Sequence, residues 1–333
     1  MNPLVSFVIP VLNGERYLAR CLGAIREVKA SEGSVQVLVM DNGSRDRTLA
    51  IAGEFHAQIH VIPGVTVGEL RNRGAALAQG AYLAFVDCDV AVAPEWLERG
   101  LGRLADTTVA AVGAFLDTPP GGTWVQGAWG LHRRYRHRER RAHAVPWLGA
   151  ANLLVRRVDF QTIGGFDASL PTTEDVDLCY RLGRRGSIVC DPAMKAIHWG
   201  EDEDIRTLWR KEVWRTSGNL RGLLAHGVRR GELPSFAYPA YVAVCILMLA
   251  FGLVRDLWTQ RIGATPWLLL LLVAPAAALA GRTAWVTRKP SAMPALFALY
   301  FVYGMARAYT LLKELGGIPG RWHRCRKRSE ISC

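Results

Sequence analysis

Hydrophobic and polar positions alternate along the first 230 residues as short apolar runs separated by segments with helical spacing. The apolar runs are rich in β-branched residues, which is typical of buried strands. A strand–helix–strand order of this kind predicts a mostly parallel sheet with helices on both faces. The predicted strands are Val5–Val11, Val35–Met40, Ile59–Ile62, Tyr82–Val86 and Val109–Phe115, and the predicted helices are Glu15–Val28, Asp46–His56, Gly68–Gln79 and Pro94–Leu104.

The pattern changes near residue 230, where apolar residues begin to dominate. Phe236–Val254 and Ile262–Gly281 contain no charged residue, and each has close to the roughly 20 residues that a helix needs to cross a bilayer. A third segment, residues 291–312, is interrupted by Arg307. A buried helical hairpin in a soluble domain would also be apolar, but three such stretches in succession favour membrane insertion.

The sequence therefore predicts a soluble domain over residues 1–230, a membrane region over 231–315 and a basic tail over 316–333. The chain has 41 Lys and Arg against 29 Asp and Glu, a formal net charge of +12. Basic clusters are typical of proteins that bind nucleic acid, anionic membranes or anionic substrates. No nucleic-acid motif accompanies the block at 133–141, so we expect lipid headgroups or a lipid phosphate there and no nucleic-acid partner; a solvated helix face is the alternative.

Two topologies remain open for the membrane region. If the soluble domain is cytoplasmic and all three segments span, the basic residues at 321–328 lie outside, against the positive-inside rule. Two spans with an interfacial or re-entrant third segment keep every basic cluster inside. Residues 205–230, with Trp214 and Arg215, are predicted to form an amphipathic helix at the membrane surface, because indoles and arginines anchor there.

Carboxylates stand at the predicted carboxyl ends of two strands. Asp87 and Asp89 follow Tyr82–Val86, and Asp41 follows Val35–Met40. In parallel sheets these ends meet at the edge where ligands bind. Two carboxylates one residue apart suit Mg²⁺ or Mn²⁺ that also holds phosphates, although a solvated acidic turn would have the same composition.

Two other turns carry polar residues of a similar kind. The first strand ends in Pro10-Val-Leu-Asn13-Gly14, which is typical of a strand-to-helix turn. Gly68-Glu-Leu-Arg71-Asn72-Arg73-Gly74 opens the third helix, where positive side chains and free N–H groups attract a diphosphate. Each segment alone is equally well explained as an ordinary loop or a helix with surface arginines.

In combination these segments resemble family 2 glycosyltransferases of the GT-A fold. The resemblance covers roughly Val5 to Arg221 and implies an α/β domain with a Rossmann-like, mostly parallel sheet. It rests on Pro10-x-x-Asn13, Asp41-Asn42-Gly-Ser44-x-Asp46-x-Thr48, Arg71-Asn72-x-Gly74, Phe85-x-Asp87-x-Asp89, Gly149-Ala-Ala-Asn152, Ile163-Gly-Gly-Phe-Asp167 and Thr173-Glu174-Asp175-Val-Asp177.

The resemblance implies a role for each motif. Asp89 would ligate a divalent metal, Mg²⁺ or Mn²⁺, that bridges the diphosphate and neutralises charge on the leaving group. Asp175, ahead of Glu174, would be the general base that deprotonates the acceptor; an acidic first helical turn is the alternative for this pair. The residues implied to bind the nucleotide sugar are Pro10, Asn13, Asp41, Asn42, Ser44, Arg71, Asn72 and Asp87.

Two downstream positions have less specific signals. His198 would reach the metal or the diphosphate, as in some GT-A enzymes, or would pack beside Trp199. Lys211-Glu-Val-Trp214-Arg215 lies where processive members of the family carry Q-x-x-R-W. Trp214 fits that pattern, but Lys211 replaces the Gln, which disfavours processive synthesis and leaves Trp214 and Arg215 as acceptor or membrane contacts.

The resulting hypothesis is a membrane-anchored, inverting, metal-dependent glycosyltransferase of the cell envelope. It would move one sugar from a nucleotide-sugar donor to a lipid, a lipid-linked glycan or a cell-surface polysaccharide precursor. The protein would lie in the cytoplasmic (inner) membrane with several membrane passes, and its catalytic domain would face the cytoplasm. The alternatives are a polyprenyl-phosphate sugar synthase and, more remotely, a non-catalytic membrane scaffold.

Overall fold

The computed structural model describes residues 4–28, 35–170, 172–216 and 233–315. The predicted basic tail at 316–333 and the part of the predicted interfacial segment at 217–230 lie outside these described residues.

The chain divides into two compact units. The first contains Met1–Pro119 and His137–Glu201, and the second contains Pro120–Arg136 and Asp202–Cys325. The boundary between the two units therefore falls near residue 201, whereas the sequence pattern predicted a change of character near residue 230. The segment Pro120–Arg136, which includes part of the basic block, groups with the C-terminal helices.

The first unit is an α/β domain built on two sheets. Its helices are α1 (Leu18–Arg26), α2 (Thr48–Glu54), α3 (Val67–Leu77), α4 (Trp96–Leu104), α6 (Arg157–Thr162) and α7 (Glu174–Leu182). Its strands are β1 (Val5–Val11), β2 (Val35–Asp41), β3 (Gln58–Val61), β4 (Tyr82–Val86), β5 (Val90–Val92), β6 (Val109–Gly113), β7 (His143–Val145), β8 (Asn152–Arg156), β9 (Ser187–Cys190) and β10 (Ala196–His198).

The strand order places the ends of the first strands along one edge. The large sheet has the order β3-β2-β1-β4-β8-β6-β9-β7, and β10 pairs with β5 in a small second sheet. Strands β3, β2, β1 and β4 are mutually parallel, whereas β8 runs antiparallel between β4 and β6. The predicted α/β fold with a mostly parallel sheet is confirmed, and β8 and β7 make that sheet mixed.

Each face of the large sheet has its own hydrophobic core. On one face, Phe7 packs against Trp96 with ring centroids 5.9 Å apart, together with apolar residues of α1 and α4. On the other face, Phe85 lies 5.1 Å from the rings of both Phe160 and Phe166. Strands buried on both faces read as continuous apolar runs, which is why the sequence identified them so readily.

The second unit is entirely helical among its described residues. It contains α5 (Trp124–Arg136), α8 (Ile205–Thr216), α9 (Leu233–Thr259), α10 (Thr265–Val286) and α11 (Met293–Leu315), with a short 3₁₀ turn at Pro290–Ala292. Three stretches are long and apolar enough to cross a membrane: Ala237–Thr259, Thr265–Val286 and Pro290–Glu314, with mean hydropathy of 2.1, 1.7 and 1.4. Three apolar helices were predicted from the sequence, and the structure contains them.

Candidate active site

Asp41 ends β2 at the carboxyl edge of the sheet and is fully buried. Its Oδ1 accepts hydrogen bonds from the backbone N–H groups of Gly43 and Ser44, both at 2.8 Å. Its Oδ2 is buried and has no hydrogen-bond partner in the described part of the chain. A buried acceptor without a donor is costly unless a ligand supplies one. Asp41 is thus suited to receive an N–H or O–H donor, as a base edge or a ribose hydroxyl would provide.

Two loops beside Asp41 are locked together by hydrogen bonds. Asn13 adopts a left-handed conformation with φ of 53°, donates its N–H to Ser44 Oγ at 2.8 Å and accepts the N–H of Arg45 at 2.9 Å. The N–H of Gly14 donates to Thr48 Oγ1 at 2.8 Å. Asn13 and Ser44 therefore fix the shape of the pocket wall next to Asp41.

Pro10 and Asn42 complete this wall in different ways. Pro10 lies within β1 opposite Met40 of β2 and is buried, so it is a packing residue of the strand. The amide of Asn42 makes two hydrogen bonds with the backbone of Val65, at 3.0 and 3.2 Å. Its side chain ties the end of β2 to the loop after β3, and its contribution to a donor site is therefore one of positioning.

Arg71, on α3, bridges two carboxylates that are distant in sequence. Its Nη2 donates to Asp87 Oδ1 and its Nη1 to Glu174 Oε1, both at 2.7 Å. Burial alone would lower the pKa of this guanidinium, but the charges of Asp87 and Glu174 outweigh it and raise the pKa. Arg71 joins the residue after β4 to the first turn of α7, and its predicted contact with the donor stays a prediction.

Asn72 was also predicted to contact the donor, and its side chain is likewise engaged within the protein. Its amide donates to the carbonyl of Phe166 at 2.8 Å and accepts the N–H of Phe166 at 2.9 Å. A Cβ at Gly165 would come within 2.5 Å of the Asn72 oxygen, and Gly165 has φ of 71°. Asn72 thus holds the turn that leads towards α7.

Asp89 is buried directly before β5 and faces His198 at the end of β10, the strand that pairs with β5. His198 Nε2 lies 2.9 Å from Asp89 Oδ2, and its Nδ1 contacts the carboxylate of Glu201. Burial lowers the pKa of His198, but Asp89 and Glu201 more than offset this, so that the pKa rises to about 10. Asp89 Oδ1 is buried without a hydrogen-bond partner among the described residues.

The donors around Asp89 fit a divalent metal that shares its coordination with a substrate. The described residues contain no group of three or more His, Cys, Asp or Glu side chains that could hold a metal ion by themselves. Asp89 Oδ1 is a buried oxygen without a hydrogen-bond partner among the described residues, whereas both ring nitrogens of His198 already contact carboxylates of the protein. Mg²⁺ is commonly held by one or two carboxylates while phosphate oxygens and waters complete the shell, so Asp89 would supply the protein's oxygen ligand, and His198 would have to lose a proton before it could ligate.

Sequence reasoning missed Glu201 and Gly200, which support this corner. Glu201 contacts His198 on the side away from Asp89 and so fixes the orientation of the ring. A Cβ at Gly200 would lie 1.9 Å from Asp89 Oδ2, so only glycine allows the backbone to approach the carboxylate this closely. The signal was the succession His198-Trp199-Gly200-Glu201, in which a glycine separates a histidine from a carboxylate.

Asp175 lies in the first turn of α7, and it is half-buried. Burial and the neighbouring charge of Glu174 raise the pKa of Asp175 to about 7, although Arg71 and the N–H of Val176 act in the opposite direction. The N–H of Val176 donates to Asp175 Oδ1 at 2.8 Å. A carboxylate that titrates near neutrality is matched to general-base catalysis. Glu174, by contrast, is committed to Arg71.

Trp214 and Arg215 lie on α8 in the second unit. Arg215 Nη1 is 2.7 Å from Glu212 Oε1 and 3.8 Å from a carboxylate oxygen of Asp202. Trp214 is half-buried. Arg215, predicted as an acceptor or membrane contact, therefore also forms ion pairs within the helical unit.

The mixed sheet, together with the carboxylates gathered at its edge, defines a domain of the GT-A type. Consistent with this, the chain is similar to the mannosyltransferase PcManGT from Pyrobaculum calidifontis, solved in complex with GDP-Man and Mn²⁺. The TM-score is 0.63 at 16% identity, and the match covers 96% of this chain and 89% of that one. At 16% identity, this similarity shows that the two proteins share a fold.

The sequence comparisons give the family of this domain. Residues 6–164 match the model of glycosyl transferase family 2, so this part of the chain is a family 2 glycosyltransferase domain. The glycosyltransferase AglE of Haloferax volcanii is 36% identical over 129 residues, which cover 36% of this chain and 42% of that protein.

A second relative is similar over a longer part of the chain. The pre-mycofactocin glycosyltransferase of Mycobacterium tuberculosis is 30% identical over 195 residues, covering 55% of this chain and 40% of that protein. The chain thus spans about two fifths of the length of these two curated relatives. Their similarity is to the glycosyltransferase domain and does not identify the donor or the acceptor.

Proposed function

We propose that this protein is a membrane-anchored, inverting glycosyltransferase that uses a divalent metal and moves one sugar from a nucleotide-sugar donor to a hydroxyl group of a lipid-borne or cell-envelope acceptor. The observation that carries the proposal is that Asp41 and Asp89 each keep a buried carboxylate oxygen without a hydrogen-bond partner among the described residues. Burial and the charge of Glu174 in addition raise the pKa of Asp175 to about 7. A relative, the N-acetylglucosaminyl-diphospho-decaprenol L-rhamnosyltransferase of Mycobacterium tuberculosis, has a lipid-linked acceptor in its name and is 28% identical over 208 residues.

The donor would bind along the carboxyl edge of β1, β2 and β4. Asp41 Oδ2 would accept a donor group of the nucleoside, since this oxygen is buried without a partner in the described structure. Asp87, which keeps about a third of its side chain exposed, would face the sugar from its ion pair with Arg71. Asp89 and His198 would hold the metal, which when bound neutralises charge on the diphosphate.

The acceptor hydroxyl would be activated by Asp175. The carboxylate takes the hydroxyl proton while the acceptor oxygen forms a bond to the anomeric carbon on the face opposite the nucleotide. The bond between that carbon and the diphosphate oxygen breaks, and the nucleoside diphosphate leaves with the bonding electrons. One base on one face inverts the anomeric configuration, which distinguishes this reaction from a two-carboxylate hydrolysis.

The anchor would be the three apolar helices of the second unit, with the catalytic domain in the cytoplasm. Their length and hydropathy support membrane association, and exposed tryptophans on α9 and α10 suit the membrane–water interface.

A phosphate acceptor is the second possibility, and the basic face of α5 favours it. Arg133, Arg134 and Arg136 lie in the last turn of that helix and could hold a lipid phosphate. A phosphate is already ionised and needs no general base. A polyprenyl-phosphate sugar synthase would therefore keep a near-normal rate when Asp175 is changed to Asn.

The proposal is tested by a thermal-shift screen of nucleotide sugars with the purified full chain and Mn²⁺, followed by product analysis. A bound donor stabilises the folded protein by mass action, so the right donor should raise the melting temperature, and the rise should continue with the logarithm of the donor concentration above its Kd. The shift should require Asp89 and the metal together. If no common nucleotide sugar is bound or hydrolysed, the proposed function is wrong.

A further inference from the structure

One tryptophan of the α/β unit is exposed near the carboxyl end of β4, and the proposed mechanism assigns it no role. Trp147 lies in the segment 146–151, between β7 and β8, and keeps 40% of its surface accessible. Trp96, by contrast, is fully buried, and Trp199 is half-buried. A single exposed apolar residue is ordinary, so the importance of Trp147 depends on its neighbours.

Hydrogen bonds fix the segment that carries Trp147 against α7. Leu148 is fully buried; its N–H donates to Sγ of Cys179 and its carbonyl accepts the thiol, both at 3.4 Å. Cys179 lies about one turn after Asp175 on α7. The N–H of Ala150 in turn interacts with the carboxylate of Asp175. The backbone on the C-terminal side of Trp147 is therefore held at two points on the helix that carries the proposed base.

The same segment connects the predicted donor contact with the base. The carbonyl of Ala151 accepts the N–H of Asp87 at 3.4 Å, and the next residue towards the N-terminus, Ala150, interacts with Asp175. Trp147 is three residues further back. The chain thus passes in order the donor contact, the base and Trp147. In the proposed reaction the acceptor must also lie beside the base, so Trp147 stands next to the acceptor position.

Gly149, between Trp147 and Ala150, leaves space beside the base. A Cβ at Gly149 would lie 3.6 Å from Asp175 Oδ2, and apart from its chain neighbours no other atom of the described residues lies within 4 Å of that point. Two residues span at most about 7 Å of extended chain, so the backbone of Trp147 lies within that distance of Gly149. A group as large as a sugar ring can therefore contact both the carboxylate and the indole.

The charges beside Asp175 oppose a phosphate group at this position. The carboxylate of Glu174 is its neighbour, and the cation that acts on Asp175 is Arg71. Arg71 is 4% exposed and already forms ion pairs with Asp87 and Glu174. An anionic acceptor would face two carboxylates while the guanidinium beside them is buried and engaged, and juxtaposed like charges are unfavourable. A neutral hydroxyl group carries no such penalty.

We propose that the acceptor of this enzyme is a sugar residue whose ring packs on the indole of Trp147 and whose hydroxyl group lies at Asp175. The inference rests on the proposed function, because it assigns an acceptor class to the same site. The negative face of an aromatic ring attracts the C–H groups on one face of a pyranose, and the hydroxyl groups at the rim of the sugar stay available for hydrogen bonds. The acceptor is then a glycan or a glycolipid and not a bare lipid phosphate.

The test uses methyl pyranosides as acceptor probes, because they carry a sugar ring without a lipid. The purified full chain, in a detergent without a sugar headgroup, receives Mn²⁺, the nucleotide sugar found by thermal shift, and the methyl glycosides of glucose, galactose, mannose, rhamnose and N-acetylglucosamine. At least one glycoside should accept the sugar. Trp147→Ala should raise the KM for that glycoside by at least about 10-fold, and hydrolysis of the donor without acceptor should not change.

Two further variants separate stacking from a structural effect. Trp147→Phe keeps an aromatic face and should hold the KM for the glycoside within about threefold of the unchanged protein. Trp124→Ala removes a tryptophan that is 50% exposed in the helical unit and should leave that KM unchanged. The thermal shift with donor checks that each variant is folded. An unchanged KM in Trp147→Ala, or an equal rise in Trp124→Ala, would overturn the inference.

The outcome also separates the acceptor class from the proposed function. If the donor is bound and hydrolysed but none of the glycosides accepts the sugar, the inference is wrong, and transfer to farnesyl phosphate in the same assay would show that sugar transfer itself stands. If no nucleotide sugar is bound, the proposed function is wrong. Binding of the glycosides, followed by saturation-transfer NMR, then decides the inference by itself: its loss in Trp147→Ala supports stacking, and its persistence overturns it.

Discussion

Two clusters of buried charge, one in each unit of this protein, are arranged in opposite ways. In the α/β unit, Asp41 and Asp89 each keep one buried carboxylate oxygen without a partner among the described residues. In the helical unit, Glu212 uses both of its oxygens, one for Arg215 and one for Arg307. The oxygens of Asp41 and Asp89 that have no partner can still accept a hydrogen bond from a ligand or bind a metal. Both oxygens of Glu212 are already used in ion pairs within the protein.

The difference separates functional residues from structural ones. Changing a buried carboxylate that keeps one oxygen free for a ligand should cost activity, because that oxygen is the group that would contact the ligand. Removing one member of a fully paired cluster should cost stability, because its partners remain buried without a counterion.

The largest expected effect is that of Asp175→Asn. The amide cannot accept the acceptor proton, so the turnover rate should fall by up to about 10⁴-fold while donor affinity stays within a few-fold of the unchanged protein. Turnover and donor affinity are measured separately by product formation and by titration of the thermal shift. Because the pKa of Asp175 is raised in the folded state, its ionised form costs stability above neutral pH, so Asp175→Asn should be at least as stable at pH 8.

The same residue predicts the pH dependence of the unchanged enzyme. Only the ionised form of Asp175 is a base, so the rate should rise with pH, with a midpoint near the pKa of about 7, and then level off. Arg71 lowers this pKa, so Arg71→Met should move the midpoint to higher pH as well as destabilising the fold. A profile that is flat from pH 5 to 8 would rule out Asp175 as the base.

Asp89→Asn should lower metal-dependent turnover by about 10³-fold, since a metal contributes several kcal/mol of charge stabilisation. Because Asp89 also pairs with His198, the substitution should lower the melting temperature as well, and turnover is therefore expressed per folded molecule. Glu98→Gln on α4 is the matched control, because it makes the same carboxylate-to-amide change at an exposed position. Retained turnover with Mn²⁺ in Asp89→Asn would remove Asp89 from the metal site.

In the helical unit, Glu212→Gln should destabilise the protein by about 3 kcal/mol, because two arginines lose their shared carboxylate. Turnover per folded molecule should not change. Thermal unfolding in detergent measures the first effect and initial rates the second, with Arg255→Gln at a half-exposed pair as the control. If Glu212→Gln lost turnover without losing stability, the contrast between the two units would fail.

The smallest effect is expected for Asp41→Asn. The amide oxygen can keep the hydrogen bonds to Gly43 and Ser44, but an NH₂ group would replace the unpartnered oxygen and oppose a ligand donor. Donor affinity should fall by about 10- to 100-fold, the range for a hydrogen bond to a charged group. Asp106→Asn is the control, since Asp106 also accepts from a backbone N–H, that of Thr108, on an exposed turn.

The sequence predicted the features that depend on local order. Buried parallel strands are continuous apolar runs, and the residue after each strand must lie at the sheet edge, so the positions of Asp41 and Asp87 followed from the pattern. The three apolar helices followed from length and composition in the same way.

Features that depend on distant partners were not predictable. Arg71 and Glu174 are 103 positions apart, and the chain between them is held on α3 by the two hydrogen bonds between Asn72 and Phe166, in the loop that precedes α7. The membership of α5 in the helical unit was hidden as well. The basic residues at its end dominate its composition, while its buried Val125, Ala128 and Leu131 form an apolar face only when placed on a helix.

Arg71 pairs with both Asp87 and Glu174, and these two ion pairs affect how much of the chain is needed for a domain that folds by itself. The family match ends at residue 164, but the second carboxylate of Arg71 is Glu174, and the partners of Asp89 are His198 and, through it, Glu201. A fragment cut at the end of the family match would bury a guanidinium with half its neutralising charge. A catalytic fragment must therefore extend at least through Glu201, and an expression boundary drawn from the family match alone would cut through the candidate active site.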